Sequence, residues 1–284
     1  MSKKLIYIVG YPRSGSTILQ SILNEMPNAV AVGEIKTIIN YNVLKNKPCS
    51  CGEEVSNCSY WHPIIEQLKS HYSLEELKHL NGVRKRISNR YFGKVRWGNS
   101  GIVIEENNEF GDFLKKLYGL VFETCDVVID SSKDPMYGWF LSQILDVEIY
   151  YLHLIRDPRA CYYSHKRDAV PAGLLRWSWM NFNSAFLARK LPYLRMRYED
   201  FVNSPDLMMQ DIFDFAGMPE VSNPISNSKI ELNGSHALAG NPNRFNSGEV
   251  KIKGSSSWEI HLSKTEKIKV KLFAQPFFKQ YGYR

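Results

Sequence analysis

Short apolar runs alternate along the chain with stretches in which apolar residues recur at helical spacing. The first run, Leu5–Val9, is almost wholly apolar, as expected for a strand that is covered on both faces. Helical spacing follows over about Thr17–Met26, and a second short strand is predicted at Ala29–Val32. The chain therefore opens with a strand, a glycine-containing loop, a helix and a strand.

The same alternation continues through most of the chain. Further strands are predicted at Val127–Ile129, Ile149–Ile155 and about Leu194–Tyr198, with helices at about Phe110–Thr124, at Met136–Leu145 and onward to about Arg189. This order predicts a single α/β domain over residues 1–284, with a P-loop-like central parallel sheet flanked by helices. The polar and basic stretch of about 41–100 is predicted to be an insertion after the second strand. A stretch rich in Asn, Ser, Gly and Pro, 223–257, is predicted to be a long loop.

Composition and charge narrow the class of protein. The 284 residues are 44% hydrophobic and carry a formal net charge of +7, which favours an anionic ligand. No apolar run approaches the roughly 18 residues of a membrane span, so we expect no membrane span and a cytoplasmic location. The basic, then apolar, start turns at once into a glycine loop, which favours a strand over a signal peptide.

The loop Gly10-Tyr11-Pro12-Arg13-Ser14-Gly15-Ser16-Thr17 has the outline of a phosphate-binding loop. Backbone N–H groups of such a turn converge on an anion, and the start of the helix adds partial positive charge. Nucleotide-triphosphate loops place lysine directly after the second glycine. Here that position is Ser16 and the cation is Arg13, so a kinase or NTPase is the weaker alternative.

A second anion site is predicted where the strand at Ile149–Ile155 ends. Arg156 begins the segment Arg-Asp-Pro-Arg, and Ser164 follows eight residues later, on the predicted next helix. A guanidinium at a strand end and a hydroxyl two turns into a helix can bind one phosphate together. Taken alone, the segment would equally fit a salt-bridged start of a helix.

Together these segments resemble the donor-binding segments of sulfotransferases that use 3′-phosphoadenosine 5′-phosphosulfate (PAPS), nearest the carbohydrate and tyrosylprotein branches and related bacterial enzymes. The resemblance implies that Arg156 and Ser164 bind the 3′-phosphate and that Tyr198 lies beside the nucleotide. Arg244 and Ser247 resemble a late loop that closes over the donor. The 5′-phosphosulfate is then expected to contact Arg13, Ser14, Gly15, Ser16 and Thr17.

The resemblance also suggests catalytic groups. Glu34, in Gly33-Glu34, resembles the general base of the tyrosylprotein branch, and Lys133 resembles a lysine that neutralises developing charge. Glu34 could instead be a carboxylate that stabilises a helix start. His165 is a weaker candidate base, and Asp130 also fits the magnesium-binding strand of a nucleotide hydrolase.

The implied activity is transfer of a sulfuryl group from PAPS to an acceptor hydroxyl, with adenosine 3′,5′-bisphosphate as product. The catalytic residues would be Arg13, Glu34 and Lys133, with no metal ion in the reaction. The acceptor could be a glycan, a peptide tyrosine or a small molecule, and no nucleic-acid partner is expected. The alternatives are a phosphate-loop kinase or NTPase and a non-catalytic protein that binds nucleotides or anions.

Two features of the insertion allow two interpretations each. Cys49, Cys51, Cys58 and His62 could form a small zinc knuckle, or a loop of reduced thiols that packs against Trp61. The basic residues of 78–96 could dock an anionic partner or could be a solvated helix face.

Overall fold

The computed structural model describes residues 2–87, 89–165, 171–275 and 277–284, without the side chains of 89–90 and 171–174. Five parallel strands form the central sheet in the order β2-β3-β1-β4-β5. The strands are β1 (Lys4–Val9), β2 (Ala29–Gly33), β3 (Val127–Lys133), β4 (Glu148–Ile155) and β5 (Tyr193–Arg197). The predicted α/β class and parallel sheet are confirmed.

Helices connect the strands and cover both faces of the sheet. They are α1 (Ser16–Leu23), α2 (Trp61–His71), α3 (Leu74–Arg86), α4 (Asn89–Arg96), α5 (Ser100–Glu105), α6 (Asn108–Phe122), α7 (Pro135–Ile144), α8 (Pro158–Ser164), α9 (Pro171–Leu187), α10 (Tyr198–Asn203), α11 (Pro205–Phe215), α12 (Ser257–His261), α13 (Lys264–Phe273) and α14 (Phe277–Gln280). In the part of the chain that the structure describes, no helix has the length and apolarity needed to cross a membrane.

The central strand β1 is buried because both of its faces are apolar. Leu5 and Tyr7 point into one core cluster, which also contains side chains of α6 and α7. Ile6 and Ile8 point into the opposite cluster, with side chains of α1 and α11. This two-sided burial explains why the strand reads as a continuous apolar run rather than an alternating one.

The predicted insertion, about 41–100, is mostly helical and belongs to the same core. Its helices α2 to α4 contribute fully or nearly fully buried side chains, among them Trp61, Leu68, Leu77 and Phe92, to the cluster formed by α6 and α7. The polar composition reflects their outer faces, while the inner faces pack against the domain.

The expectation of one long loop over 223–257 is wrong. This stretch contains an antiparallel hairpin of β6 (Lys229–Leu232) and β7 (Gly248–Lys251), with a 3₁₀ helix at Pro242–Phe245 between the strands. Ile230 and Leu232 are buried in the cluster beside α1. The strands have only four residues each, so their alternation is hidden in a composition typical of loops.

Adding one methyl group at Gly138 should destabilise the fold, because α7 crosses the sheet closely there. A Cβ at Gly138 would lie 2.8 Å from a ring carbon of Tyr151 and closer still to the ring of Tyr7. Overpacking of this kind costs about 1–3 kcal/mol, so Gly138→Ala should lower the free energy of unfolding by that amount in urea titrations.

Gly119→Ala is the matched control. Gly119 also lies inside a helix, α6, but a Cβ there would meet no atom within 4 Å. Alanine favours helix by roughly 0.5–1 kcal/mol over glycine, so this variant should be as stable as the wild type or more so. Equal destabilisation of both variants would contradict the packing argument.

Candidate active site

The loop between β1 and α1 has the backbone geometry of an anion site. Gly10 and Gly15 both have positive φ, and a Cβ at Gly10 would collide with the carbonyl oxygen of Leu154. The helix α1 starts at Ser16 without a side-chain cap and with no acidic residue in its first turn. Its first N–H groups and the positive end of its dipole therefore remain available to a bound anion.

Arg13 joins the two predicted phosphate sites. Its backbone is left-handed, with φ 72, which is rare for a residue other than glycine or asparagine. The Arg13 Nε donates to Ser164 Oγ at 2.9 Å, and the Arg156 guanidinium donates to the Arg13 carbonyl oxygen at 3.0 Å. The three residues come from β1–α1, α8 and the end of β4, and they meet at one end of the sheet.

Tyr198 packs between these groups. The Arg156 guanidinium lies 4.3 Å from the centre of the Tyr198 ring, and that ring occupies the space where a side chain at Gly15 would be. Tyr198 therefore lies against the phosphate loop, and glycine at position 15 is required by the ring as well as by its φ of 98°.

Arg156 and Tyr198 also line a cleft of about 500 Å³. Its walls include residues that the sequence alone did not assign to the site: Arg159, Arg197, Ser255, Ser256 and Trp258. Arg159 is paired with Asp157 through two N–H···O contacts of 3.0 and 2.7 Å and stacks on Trp258. Arg159 lies in the first turn of α8, Arg197 ends β5, and the other three follow the β6–β7 hairpin, so their convergence could not be deduced from local patterns.

Two donors at this end of the sheet have no hydrogen-bond partner among the described atoms. Ser14 is 1% exposed and its Oγ is unpaired, and the Arg156 Nε is likewise buried and unpaired. Buried polar groups are nearly always hydrogen-bonded in folded proteins. A phosphate or sulfate oxygen at each position would supply the missing acceptor.

Glu34 and Lys133 form an ion pair beside the loop. The Lys133 Nζ lies 2.6 Å from Glu34 Oε1 and also donates to the Ser131 carbonyl oxygen at 3.1 Å. The Glu34 side chain is 27% exposed, whereas that of Lys133 is 11% exposed. Lys133 ends β3 with a left-handed backbone, φ 66. The two predicted catalytic cations, Arg13 and Lys133, therefore share this unusual conformation.

A segment that we call the strap, 235–240, in which Ala237 and Leu238 are buried, holds Glu34 in place. The Glu34 N–H donates to the Leu238 carbonyl oxygen at 2.7 Å, and the Leu238 N–H donates to the Val32 carbonyl oxygen at 3.0 Å. A Cβ on Gly240 would lie 3.2 Å from Glu34 Oε1. The strap thus extends the edge of the sheet beyond β2 and fixes the backbone from which Glu34 projects.

Arg244 and Ser247 lie apart from the cleft that Arg156 lines. Burial lowers the pKa of Arg244, and the thiol of Cys49 and the carboxylate of Glu34 oppose that shift, so Arg244 lies on the Glu34 side. Its Nε is buried and has no partner among the residues that the structure describes. Ser247 is exposed between the 3₁₀ helix and β7.

A sequence profile of the Sulfotransferase family matches residues 6–222, more than half of the chain. This chain belongs to the Sulfotransferase family. The match includes the phosphate loop, Glu34, Lys133, Arg156, Ser164 and Tyr198, and ends before the strap and the hairpin. A comparison with curated protein sequences gives no match.

Solved structures with the same fold include two bacterial sulfotransferase domains. The sulfotransferase domain of the Synechococcus PCC 7002 olefin synthase superposes with a TM-score of 0.53 at 20% identity, over 100% of this chain and 96% of the other. The sulfotransferase domain of the curacin biosynthetic pathway gives 0.55 at 15% identity, over 99% and 98%. At such identities the likeness concerns the fold alone.

In this sulfotransferase Asp130 is a structural carboxylate rather than a free magnesium ligand. It is fully buried, and its two oxygens accept from the Ser132 N–H at 2.7 Å and from the Tyr118 hydroxyl at 2.6 Å. His153 is also a core residue, hydrogen-bonded to Tyr193 and Asn181. Asp130, which suggested the magnesium-binding strand of a nucleotide hydrolase, is therefore explained by its hydrogen bonds within the core.

His165, the weaker candidate base, follows α8 directly after Ser164. Its ring packs edge-on against Tyr11, with ring centres 5.6 Å apart. It therefore lies at the phosphate loop, on the side of Arg13 and Ser164, whereas Glu34 projects from the end of β2.

The cysteines of the insertion cluster with a histidine other than the predicted one. Cys49, Cys51, Cys58 and His236 place their ligand atoms within 4.8 Å of one another. His62 lies exposed on α2, so its proposed membership of the cluster is wrong. His236 belongs to the strap, and its separation of 178 positions from Cys58 hid the pairing from sequence analysis.

Two of the basic residues of 78–96 are paired with carboxylates. Lys78 pairs with Glu75 at 2.7 Å and Lys94 with Glu106 at 2.7 Å. Arg84 turns inward and donates to Asn81, and burial lowers its pKa. The side chain of Arg90 lies outside the described residues. The interpretation as a solvated helix face fits the two paired lysines.

Replacing Asp130 with Asn should change how stability depends on pH. Burial raises the pKa of Asp130 to about 6 from an ordinary value of about 4, so the folded chain binds this proton more tightly than the unfolded chain. The group's contribution is greatest below about pH 4 and is lost as the pH rises through about 6, by roughly 2–3 kcal/mol.

Asp130→Asn lacks that loss. Its free energy of unfolding, relative to the wild type, should therefore rise by the same roughly 2–3 kcal/mol between about pH 4 and 7, measured by urea unfolding at each pH. Asp206→Asn, an exposed change on α11, should show a nearly constant difference. A constant difference for Asp130→Asn as well would refute the buried, raised-pKa carboxylate.

Proposed function

We propose that this sulfotransferase transfers a sulfuryl group from PAPS to an acceptor hydroxyl. The observation that carries the proposal is the contact of Arg13 with both Ser164 and Arg156. Because of this contact, the guanidinium of Arg156 lies next to the phosphate loop. A second cation there would suit a ligand that carries phosphates at both the 5′ and 3′ positions. A nucleoside triphosphate would have no group for that second site.

The described residues offer a group for each part of the donor. Loop amides and the unpaired Ser14 hydroxyl would hold the 5′-phosphosulfate, and Arg156, with its unpaired Nε, would bind the 3′-phosphate together with Ser164. The rings of Tyr198 and Trp258 border the adjoining cleft. They would offer flat apolar surface to the adenine base.

Transfer itself needs a base and positive charge at the leaving group. The acceptor oxygen forms a bond to sulfur while the bond from sulfur to the 5′-phosphate oxygen breaks, and the acceptor proton passes to Glu34. Lys133, 2.6 Å from Glu34, and Arg13 would stabilise the charge that develops on the sulfuryl and phosphate oxygens. All three groups project from the carboxyl ends of neighbouring strands, where parallel sheets bind ligands.

The acceptor side of the proposal is a hydroxyl that reaches the partly exposed Glu34. Glycans, peptide tyrosines and small molecules all carry such a group. The proposed location is the cytoplasm.

The first functional prediction concerns the 3′-phosphate. Adenosine 3′,5′-bisphosphate should bind the wild type far more tightly than 5′-AMP, because only the bisphosphate contacts Arg156. Loss of one charge-assisted hydrogen bond costs about 1.5–3 kcal/mol, so Arg156→Ala should weaken bisphosphate binding by roughly ten- to a hundredfold. Isothermal titration calorimetry measures both affinities.

Arg189→Ala removes the same charge at an exposed position outside the cleft, and it should bind like the wild type. If the wild type bound the bisphosphate and AMP equally, the 3′-phosphate site would be rejected. If ATP with magnesium bound better than the bisphosphate, the donor assignment itself would fail.

The second functional prediction is that Glu34 is the general base. Glu34→Gln keeps the shape and an oxygen for Lys133 but removes the proton acceptor. Turnover should fall by about 10²–10⁴-fold, while the affinity for adenosine 3′,5′-bisphosphate stays near that of the wild type. The measurement is transfer of radiolabel from PAPS to a panel of glycan, tyrosine-peptide and phenol acceptors.

Glu123→Gln, an exposed change at the end of α6, is the matched control and should leave turnover unchanged. Near-native turnover in Glu34→Gln would exclude Glu34 as the base. In that case His165, which packs against Tyr11 in the phosphate loop, would be the next residue to test.

A further inference from the structure

Three thiols and one imidazole converge where the insertion meets the strap. Their ligand atoms lie within 4.8 Å of one another. The Cys51 and Cys58 sulfurs are 3.7 Å apart, and the His236 Nδ1 lies 3.3 Å from the Cys58 sulfur and 3.6 Å from the Cys49 sulfur. These are the side chains of Cys49, Cys51, Cys58 and His236.

The distances fit a tetrahedral zinc ion. Zinc binds thiolate sulfur at about 2.3 Å and imidazole nitrogen at about 2.0–2.1 Å, so tetrahedral angles place two sulfurs about 3.8 Å apart and a sulfur and a nitrogen about 3.6 Å apart. A disulfide needs a sulfur–sulfur distance of about 2.0 Å. Four protein ligands also leave no open position, which is typical of structural rather than catalytic zinc.

Hydrogen bonds and ring contacts of the protein hold the segments that carry the ligands. The Cys49 N–H donates to the Glu53 carbonyl oxygen at 2.9 Å, and the turn closes through Gly52, whose φ is 95. On the other side, the Tyr60 ring stacks on His236 with centres 5.1 Å apart, and the Trp61 indole N–H donates to the His236 carbonyl oxygen at 2.5 Å. The ring orientation that presents Nδ1 to the sulfurs is therefore fixed by its neighbours.

We propose a structural zinc site in this chain, with three thiolate ligands and one imidazole ligand: Cys49, Cys51, Cys58 and His236. The site joins the start of the insertion to the strap. Leu238, two residues after His236, pairs with Gly33 and accepts from the Glu34 N–H. The metal thereby fastens the segment against which the end of β2 is held. The proposal of a zinc site does not depend on which donor or acceptor the enzyme uses.

The experiment measures metal in the full-length chain purified under reducing conditions from zinc-supplemented cells. Elemental analysis should give about one zinc per chain, and X-ray absorption should show three sulfur neighbours at about 2.3 Å and one nitrogen at about 2.0–2.1 Å. Chelation should lower the melting temperature, because a metal that binds only the folded state stabilises it.

Cys51→Ser tests the ligands at the exposed cysteine of the cluster, where folding should be preserved. It should bind zinc at least about tenfold more weakly in competition with a chromophoric chelator. His236→Ala should lose the nitrogen neighbour, whereas the matched control His62→Ala should keep full zinc content and the wild-type melting temperature.

Three results would overturn the site. One is a reduced, folded wild type that neither contains nor takes up zinc. Another is an intact mass lower by two hydrogens that maps to a bond between Cys51 and Cys58, which would indicate a redox pair. The third is His62→Ala losing zinc while His236→Ala retains it.

Discussion

The backbone of Arg13 is the constraint on which the phosphate-loop end of the molecule depends. Its carbonyl oxygen accepts from Arg156 and its side chain donates to Ser164, so β1, β4 and α8 are joined through one residue. Arg13 makes these contacts from a left-handed conformation, which costs of order 1–3 kcal/mol. The cost is sustained because β1 is buried on both faces and paired on both edges, which leaves the loop no easy way to relax.

Lys133 repeats this arrangement on the neighbouring strand. It ends β3 with a positive φ, and its ammonium group turns to meet Glu34 from β2. Lys133 thus turns its ammonium group toward Glu34, whereas Arg13, the other residue with a left-handed backbone, turns its guanidinium toward Ser164. In the proposed transfer, Lys133 and Arg13 would already be held by these contacts, so little reorganisation would be required when charge develops.

The sequence predicts this architecture well where burial is two-sided and poorly where contacts are distant. The runs at Leu5–Val9 and Ile149–Ile155 are recognisable because a parallel strand that is buried on both faces is mostly apolar. The hairpin over Lys229–Lys251 has four-residue strands that do not stand out among Asn, Ser and Gly. The prediction that Arg156 and Ser164 bind a 3′-phosphate came from family resemblance, since their spacing alone equally allowed a helix start.

His236 shows why the ligands of a site cannot be read from local spacing alone. His62 is four residues from Cys58, yet α2 turns it outward to solvent, because the helix must present Trp61 and Ile65 to the core. His236 reaches the cysteines only because Leu238 continues the sheet beside Gly33. The same short segment therefore determines both which histidine joins the cysteine cluster and the position of Glu34. A substitution in the strap that shifts Leu238 would disturb the two sites together, although neither shares a side chain with the other.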